Sequence, residues 1–154
     1  MNQNKIYFLK TEFTKLLSTL QPEAKGKWGK MNAQQMAEHM SNAFRWASGE
    51  VKLQAMLTPE QTQKTYAFMM SDKPFKENTP NQLLPDVPVP FKHVSMKDAI
   101  AELQKEIDHF FSVYENNSGL RNINPFFGNL NFEEQVQLLH KHATHHAKQF
   151  GLVE

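Results

Sequence analysis

The sequence predicts an all-α protein. The expected architecture is a four-helix bundle with a long connection, carrying a short extra helix, between its second and third long helices. Three observations support it. Apolar residues recur at helical spacing in four separate stretches. Helix-start signals, a capping residue with a partner three positions on, stand ahead of the apolar stripes, and glycines stand behind them. No stretch shows the sustained apolar/polar alternation of a half-buried strand.

Each element follows from local chemistry. Ile6, Leu9, Phe13, Leu16, Leu17 and Leu20 form the first stripe, which Pro22 closes. A turn with Gly26, Trp28 and Gly29 leads to Asn32, an N-cap with Gln35 as its capping-box partner. The second helix then shows Met36, Met40, Ala43 and Ala47 on its inward face, with Phe44 alongside and Gly49 as its stop. Thr58-Pro59-Glu60-Gln61 opens a short helix ending near Met70, with proline at the first helical position. Residues 71–91 contain five prolines and no sustained period. Phe75, Leu83, Leu84, Val87 and Phe91 give that connection apolar groups to bury, so it is expected to wrap the bundle rather than divide the chain into domains. Ser95 starts the next long helix, with Ile100, Leu103, Ile107, Phe110 or Phe111, and Tyr114 facing inward. Asn124-Pro125-Phe126-Phe127-Gly128 reads as a tight aromatic loop. Asn131 with Glu134 caps the last helix, which turns Phe132, Val136, Leu139, His142 or Ala143, and His146 inward until Gly151 ends it.

Composition narrows the function. With 154 residues and 40% hydrophobic content, the chain suffices for one buried core, so residues 1–154 are expected to be one domain. Seventeen Lys+Arg against sixteen Asp+Glu, scattered along the chain, leave no basic stripe for nucleic acid and no polybasic patch for an anionic membrane. There is no signal-peptide apolar region at the start and no run long enough to span a bilayer, so the expected location is cytoplasmic. Without cysteine there is no disulfide, thiolate ligand or cysteine nucleophile. Phosphate-binding loops, serine-nucleophile elbows and paired inward carboxylates are also missing.

Histidine is where chemistry concentrates. Four of the seven histidines lie in His140-Lys141-His142-Ala143-Thr144-His145-His146. His142 and His146, four apart on a helix, stack on one face and can bind one cation from one side. Two buried imidazoles satisfy their nitrogens by sharing such an ion; the plain alternative is a pair of core-edge histidines bonded to carbonyls, water or acids. His39, at the edge of the second helix's inward face, is the candidate third ligand. Three neutral imidazoles leave open coordination positions, as catalytic rather than purely structural sites do. The other nitrogen of each ring is expected to bond outward, and Glu38, Gln35 and Gln149 are the nearby polar side chains. His140 is expected in solvent, His145 beside the site or on the surface, and His93 and His109 on the surface. Because ligation needs neutral rings, binding is expected to weaken as pH falls through about 6.5.

Two blocks of sequence carry a resemblance. Lys27-Trp28-Gly29-Lys30-Met31 through Gln35-Met36-Ala37-Glu38-His39 is one. The other runs from Asn124-Pro125-Phe126-Phe127-Gly128 to Lys141-His142, His145-His146 and Gln149-Phe150-Gly151. Together they resemble the DUF1569 family of bacterial proteins in the DinB/YfiT-like superfamily. The resemblance implies a four-helix bundle with a three-histidine site for a divalent metal, held by His39, His142 and His146. The cation would be zinc or nickel, or iron. Relatives with a known activity are transferases that use a small exogenous thiol, some acting on maleylpyruvate. With the resemblance, the expected function is a metal-dependent thiol transferase or hydrolase for a small electrophilic molecule; the alternative is a non-catalytic metal- or small-ligand-binding protein whose histidines form a vestigial or sensing site. The resemblance also implies pairing of copies as a homodimer, and no nucleic-acid contact. Asn124 stands where the family often has histidine, and Gln135 where tryptophan is common.

Overall fold

The computed structural model describes residues 3–77 and 90–154. The described residues are mostly helical and form five helices and one two-stranded hairpin. The first helix, α1, covers residues 3–17, as α-helix Gln3–Tyr7, a π-helical stretch Phe8–Glu12 and α-helix Phe13–Leu17. Helix α2 is Ala33–Ser48, α3 is Pro59–Met70, α4 is Met96–Asn116 and α5 is Phe132–Gln149. Of the apolar residues expected to anchor the long connection, Phe75 and Phe91 fall in the described part. Leu83, Leu84 and Val87 lie outside the described residues.

The caps form as the sequence predicts. Asn32 Oδ1 accepts from the Gln35 amide at 3.0 Å, and Gln35 Oε1 accepts from the Asn32 amide at 2.9 Å. The same reciprocal pair forms at Thr58/Gln61 and Asn131/Glu134. Ser95 caps α4 through the Asp98 amide. Gly49 ends α2 at φ +82°, and Gly151 at φ +72° closes α5. There the Leu152 amide reaches back to the Ala147 carbonyl and the Gly151 amide to the Lys148 carbonyl.

The π-helical stretch in α1 has a packing consequence. Leu9, Phe13 and Leu17 are all fully buried at steps of four. A plain α-helix turns such a stripe by about 40° per step, and a wider π turn takes that drift back. The three side chains therefore stay on one face. With Met36, Met40 and Phe44 of α2, Leu103, Ile107 and Phe110 of α4, and Val136, Leu139 and Ala143 of α5, they build one core. Burial of each large side chain contributes about 1.5–3 kcal/mol. Both Phe110 and Phe111 are buried, so that face of α4 is broader than a single stripe.

The aromatic loop is the turn of a short hairpin, which the sequence reading did not anticipate. Strand β1, Asn122–Asn124, pairs antiparallel with β2, Gly128–Leu130, in the register Asn122↔Leu130 and Asn124↔Gly128. Three-residue strands are too short to show alternation. Asn124 Oδ1 accepts from the Phe126 and Phe127 amides at 2.9 and 3.2 Å, which folds the turn. Asn122 docks the hairpin on the core: its Nδ2 donates to the Ala47 carbonyl and to Tyr114 Oη, at 3.3 and 3.0 Å. A side chain at Gly49 would meet Asn122 Oδ1 at 2.5 Å, so this close approach and the positive φ both require glycine there.

Candidate metal centre

Helices α2 and α5 bring His39, His142 and His146 together. Their ligand-capable nitrogens all lie within 4.8 Å of one another. His39 Nε2 is 3.0 Å from His142 Nε2, and the ring centroids of the three are 4.8–5.2 Å apart. His39 and His146 are buried and His142 is half-buried. This is the trio picked out from the sequence, and no carboxylate joins it among the described residues.

The rings are electrically neutral. Burial, then the charge of His145, lowers the His39 pKa to about 4. Burial pushes His142 well below 6.5, helped by His146, His39 and His145. His146 is likewise held well below by burial and then by His39, with Gln149 opposing. The expected proton competition near pH 6.5 is therefore displaced to lower pH, because burial disfavours imidazolium before any metal is considered.

Neutral imidazoles in contact still have nitrogens to satisfy. His146 Nε2 and His39 Nδ1 are buried with no hydrogen-bond partner among the described residues. The opposite nitrogen of His146, Nδ1, lies 2.7 Å from Gln149 Oε1. A buried lone pair aimed into a group of neutral rings is what a cation would satisfy. Geometry agrees: three atoms no more than 4.8 Å apart share a centre within about 2.8 Å of each, so sub-ångström ring shifts reach the 2.0–2.1 Å of a Zn–N bond.

The neighbouring residues sort themselves. Glu38 is not a ligand; its carboxylate accepts from the amides of Lys92 and His93, at 2.8 and 2.9 Å, and fixes the end of the long connection to α2. Lys141 does the same for the beginning, donating to the Ser71 carbonyl at 2.9 Å and to the Lys73 carbonyl, with its Nζ 4.7 Å from the Phe68 ring centre. Gln35 is spent on the α2 cap. His145 is half-buried beside the trio, its ring 5.2 Å from His146 and in contact with Trp28 and Phe75. Phe75 also faces His142 edge-on at 6.2 Å. His140 is not in solvent: it is half-buried, edge-on to Phe8 at 5.3 Å, and burial lowers its pKa to about 4 with Lys5 adding to the effect. α1 covers the face of α5 that the helical period alone left open. His109 is exposed, and His93 is half-buried away from the trio. Asn124 and Gln135 serve the hairpin, Gln135 by donating to the Asn122 carbonyl at 3.4 Å.

Fold and site thus define a helical protein whose core edge holds three neutral histidines close enough to share a metal ion. No family model, curated protein or solved structure matches the chain. No helix among the described residues is long and apolar enough to cross a membrane.

Proposed function

We propose that the protein is a divalent-metal-dependent enzyme of the DinB/YfiT-like kind, with His39, His142 and His146 as the metal ligands of a four-helix bundle. The observation that carries the proposal is the convergence of three neutral ring nitrogens, one of them buried with no partner among the described residues. Zinc and nickel fit an all-imidazole donor set, as does iron less selectively. A cation held there supplies Lewis acidity, lowering the pKa of a thiol or water that joins it. The chain's own part is to hold three rings deprotonated by burial, to leave the remaining coordination positions free of other ligating side chains among the described residues, and to wall the site with Phe75, Trp28 and His145. With no cysteine in the chain, a thiol nucleophile comes from a small exogenous thiol. Its attack on a small electrophilic molecule, or hydrolysis of such a molecule, is the proposed reaction class. A homodimer in the cytoplasm is the proposed working form.

One observation favours a second reading, a metal- or small-ligand-binding protein without turnover. His39 and His146 are only 7% and 6% exposed, and aromatic rings flank the trio. The experiment is metal analysis of tag-free protein by plasma mass spectrometry, followed by a panel of thiol-transfer and hydrolysis substrates. One metal per chain with turnover supports the enzyme, and one metal without turnover on any substrate supports the binding protein. Absence of metal after incubation with zinc, nickel and ferrous iron refutes the enzyme and the metal-binding protein alike, and leaves the trio no role beyond binding a small ligand.

A further inference from the structure

We infer that Gln149 is a positioning residue of the histidine trio, fixing His146 in the tautomer that presents Nε2 as an unprotonated ligand. The inference deepens the metal-site reading and rests on it for its functional meaning. The chain of hydrogen bonds begins at a group whose polarity is beyond choice. The main-chain carbonyl of Trp28 can only accept, and it lies 2.8 Å from Gln149 Nε2. The opposite amide orientation would set two oxygens against each other, so Gln149 Nε2 faces Trp28 and Oε1 faces His146. Oε1 can only accept in turn. At 2.7 Å from it, His146 Nδ1 must carry the ring proton. In a neutral ring that leaves Nε2 with its lone pair, and Nε2 is the buried nitrogen with no partner among the described residues.

The latch is held from further out. The Lys27 amide donates to the Gln149 carbonyl at 2.7 Å, binding the loop before α2 to the end of α5. That loop can come so near only because residue 26 is glycine. A Cβ there would lie 2.7 Å from Gln149 Cγ and 2.8 Å from the Trp28 carbonyl oxygen. Gln149 is three residues beyond His146, so helix geometry sets it over the ring. Without the latch a neutral histidine ring favours the proton on Nε2, which blocks the ligand position.

The test uses the metal-free full chain. Long-range ¹H–¹⁵N NMR of the side-chain nitrogens, with His146→Gln to assign the signals, should show His146 protonated on Nδ1 alone. Gln149→Leu should mix the tautomers and weaken zinc binding by roughly 10–100-fold. Gln149→Glu loses the donation to Trp28 but keeps an acceptor against Nδ1, so it should keep His146 protonated on Nδ1 where Gln149→Leu mixes the tautomers, a readout that a purely structural role would not move. An Nε2-protonated His146 in the wild-type chain, or wild-type zinc affinity in Gln149→Leu, overturns the inference. A wild-type chain that binds no zinc yet shows the Nδ1 tautomer keeps the inference about Gln149 and refutes the metal site instead.

Discussion

Metal affinity should be nearly independent of pH between 7.5 and 5.5, and this is where the buried trio differs most from three exposed histidines. Protons and the cation compete for the same lone pairs. Three rings titrating at the solution value of 6.5 would each lose about tenfold in available lone pairs over that interval, about a thousandfold together. His39 titrates at about 4, so at pH 5.5 it is still almost wholly unprotonated. His142 and His146 are also held well below 6.5, first by burial and then by neighbouring histidines. The expected change is therefore within about twofold. The assay is competition for zinc against a fluorescent chelator calibrated at each pH, with circular dichroism confirming that the helices persist. A fall of a hundredfold or more by pH 5.5, in protein that remains folded, would show that the rings protonate freely and refute the argument from burial.

The same shifts give the metal-free protein an acid sensitivity. The folded pKa of His39 is depressed, so as pH falls below 6.5 the unfolded chain binds its proton first. Stability is then lost between 6.5 and about 4, at about 1.4 kcal/mol per pH unit and about 3 kcal/mol in all for this one ring. Urea unfolding across that range should show the loss, and His39→Leu should flatten its slope by about one proton. His142→Ala should abolish stoichiometric metal while retaining the helical spectrum. His140→Ala should retain the metal but lose about 1 kcal/mol of stability, because its ring packs on Phe8. Asn122→Ala removes both donations that dock the hairpin and should cost about 1–2 kcal/mol in urea unfolding with metal content unchanged. A cost near zero would mean the hairpin does not support the core.

What the sequence made legible was whatever is decided within one helical turn. Caps at Asn32, Thr58, Ser95 and Asn131 are exchanges between residues three apart, so reading them needs no knowledge of the fold. The stacking of His142 over His146 is local in the same sense. The hairpin was hidden because its strands are three residues long and its turn reads as a generic aromatic loop. The π-helical stretch left one trace, the exact step of four through Leu9, Phe13 and Leu17, which an α-helical reading absorbs without remark. His140 went wrong for a different reason. Helical period says which residues share a face, but not that α1 covers that face. The bond between His146 and Gln149 carried a usable signal, a polar residue three positions after a candidate ligand, although its partner at Trp28 lies 121 residues away.

Glu38 and Lys141 show where local reading stops. Each immediately precedes a histidine of the trio and is therefore turned about 100° from it around the helix axis. Each is at least nine-tenths buried, a costly place for a charge unless polar partners meet it. The partners are chiefly main chain: carboxylate takes the amides of Lys92 and His93, with Gln34 Nε2 further off at 3.3 Å, and ammonium takes the carbonyls of Ser71 and Lys73. Opposite charges thus hold opposite ends of one connection, each next to a histidine of the trio. In sequence the two look like ordinary solvated positions on amphipathic helices, because the carbonyls and amides that accept them belong to a segment without a pattern of its own. The His142/His146 pair could be named from spacing because its members answer one another. Glu38 and Lys141, which hold the surrounding chain against the trio, could not, since their distant partners are backbone groups, and every residue type supplies nearly the same ones.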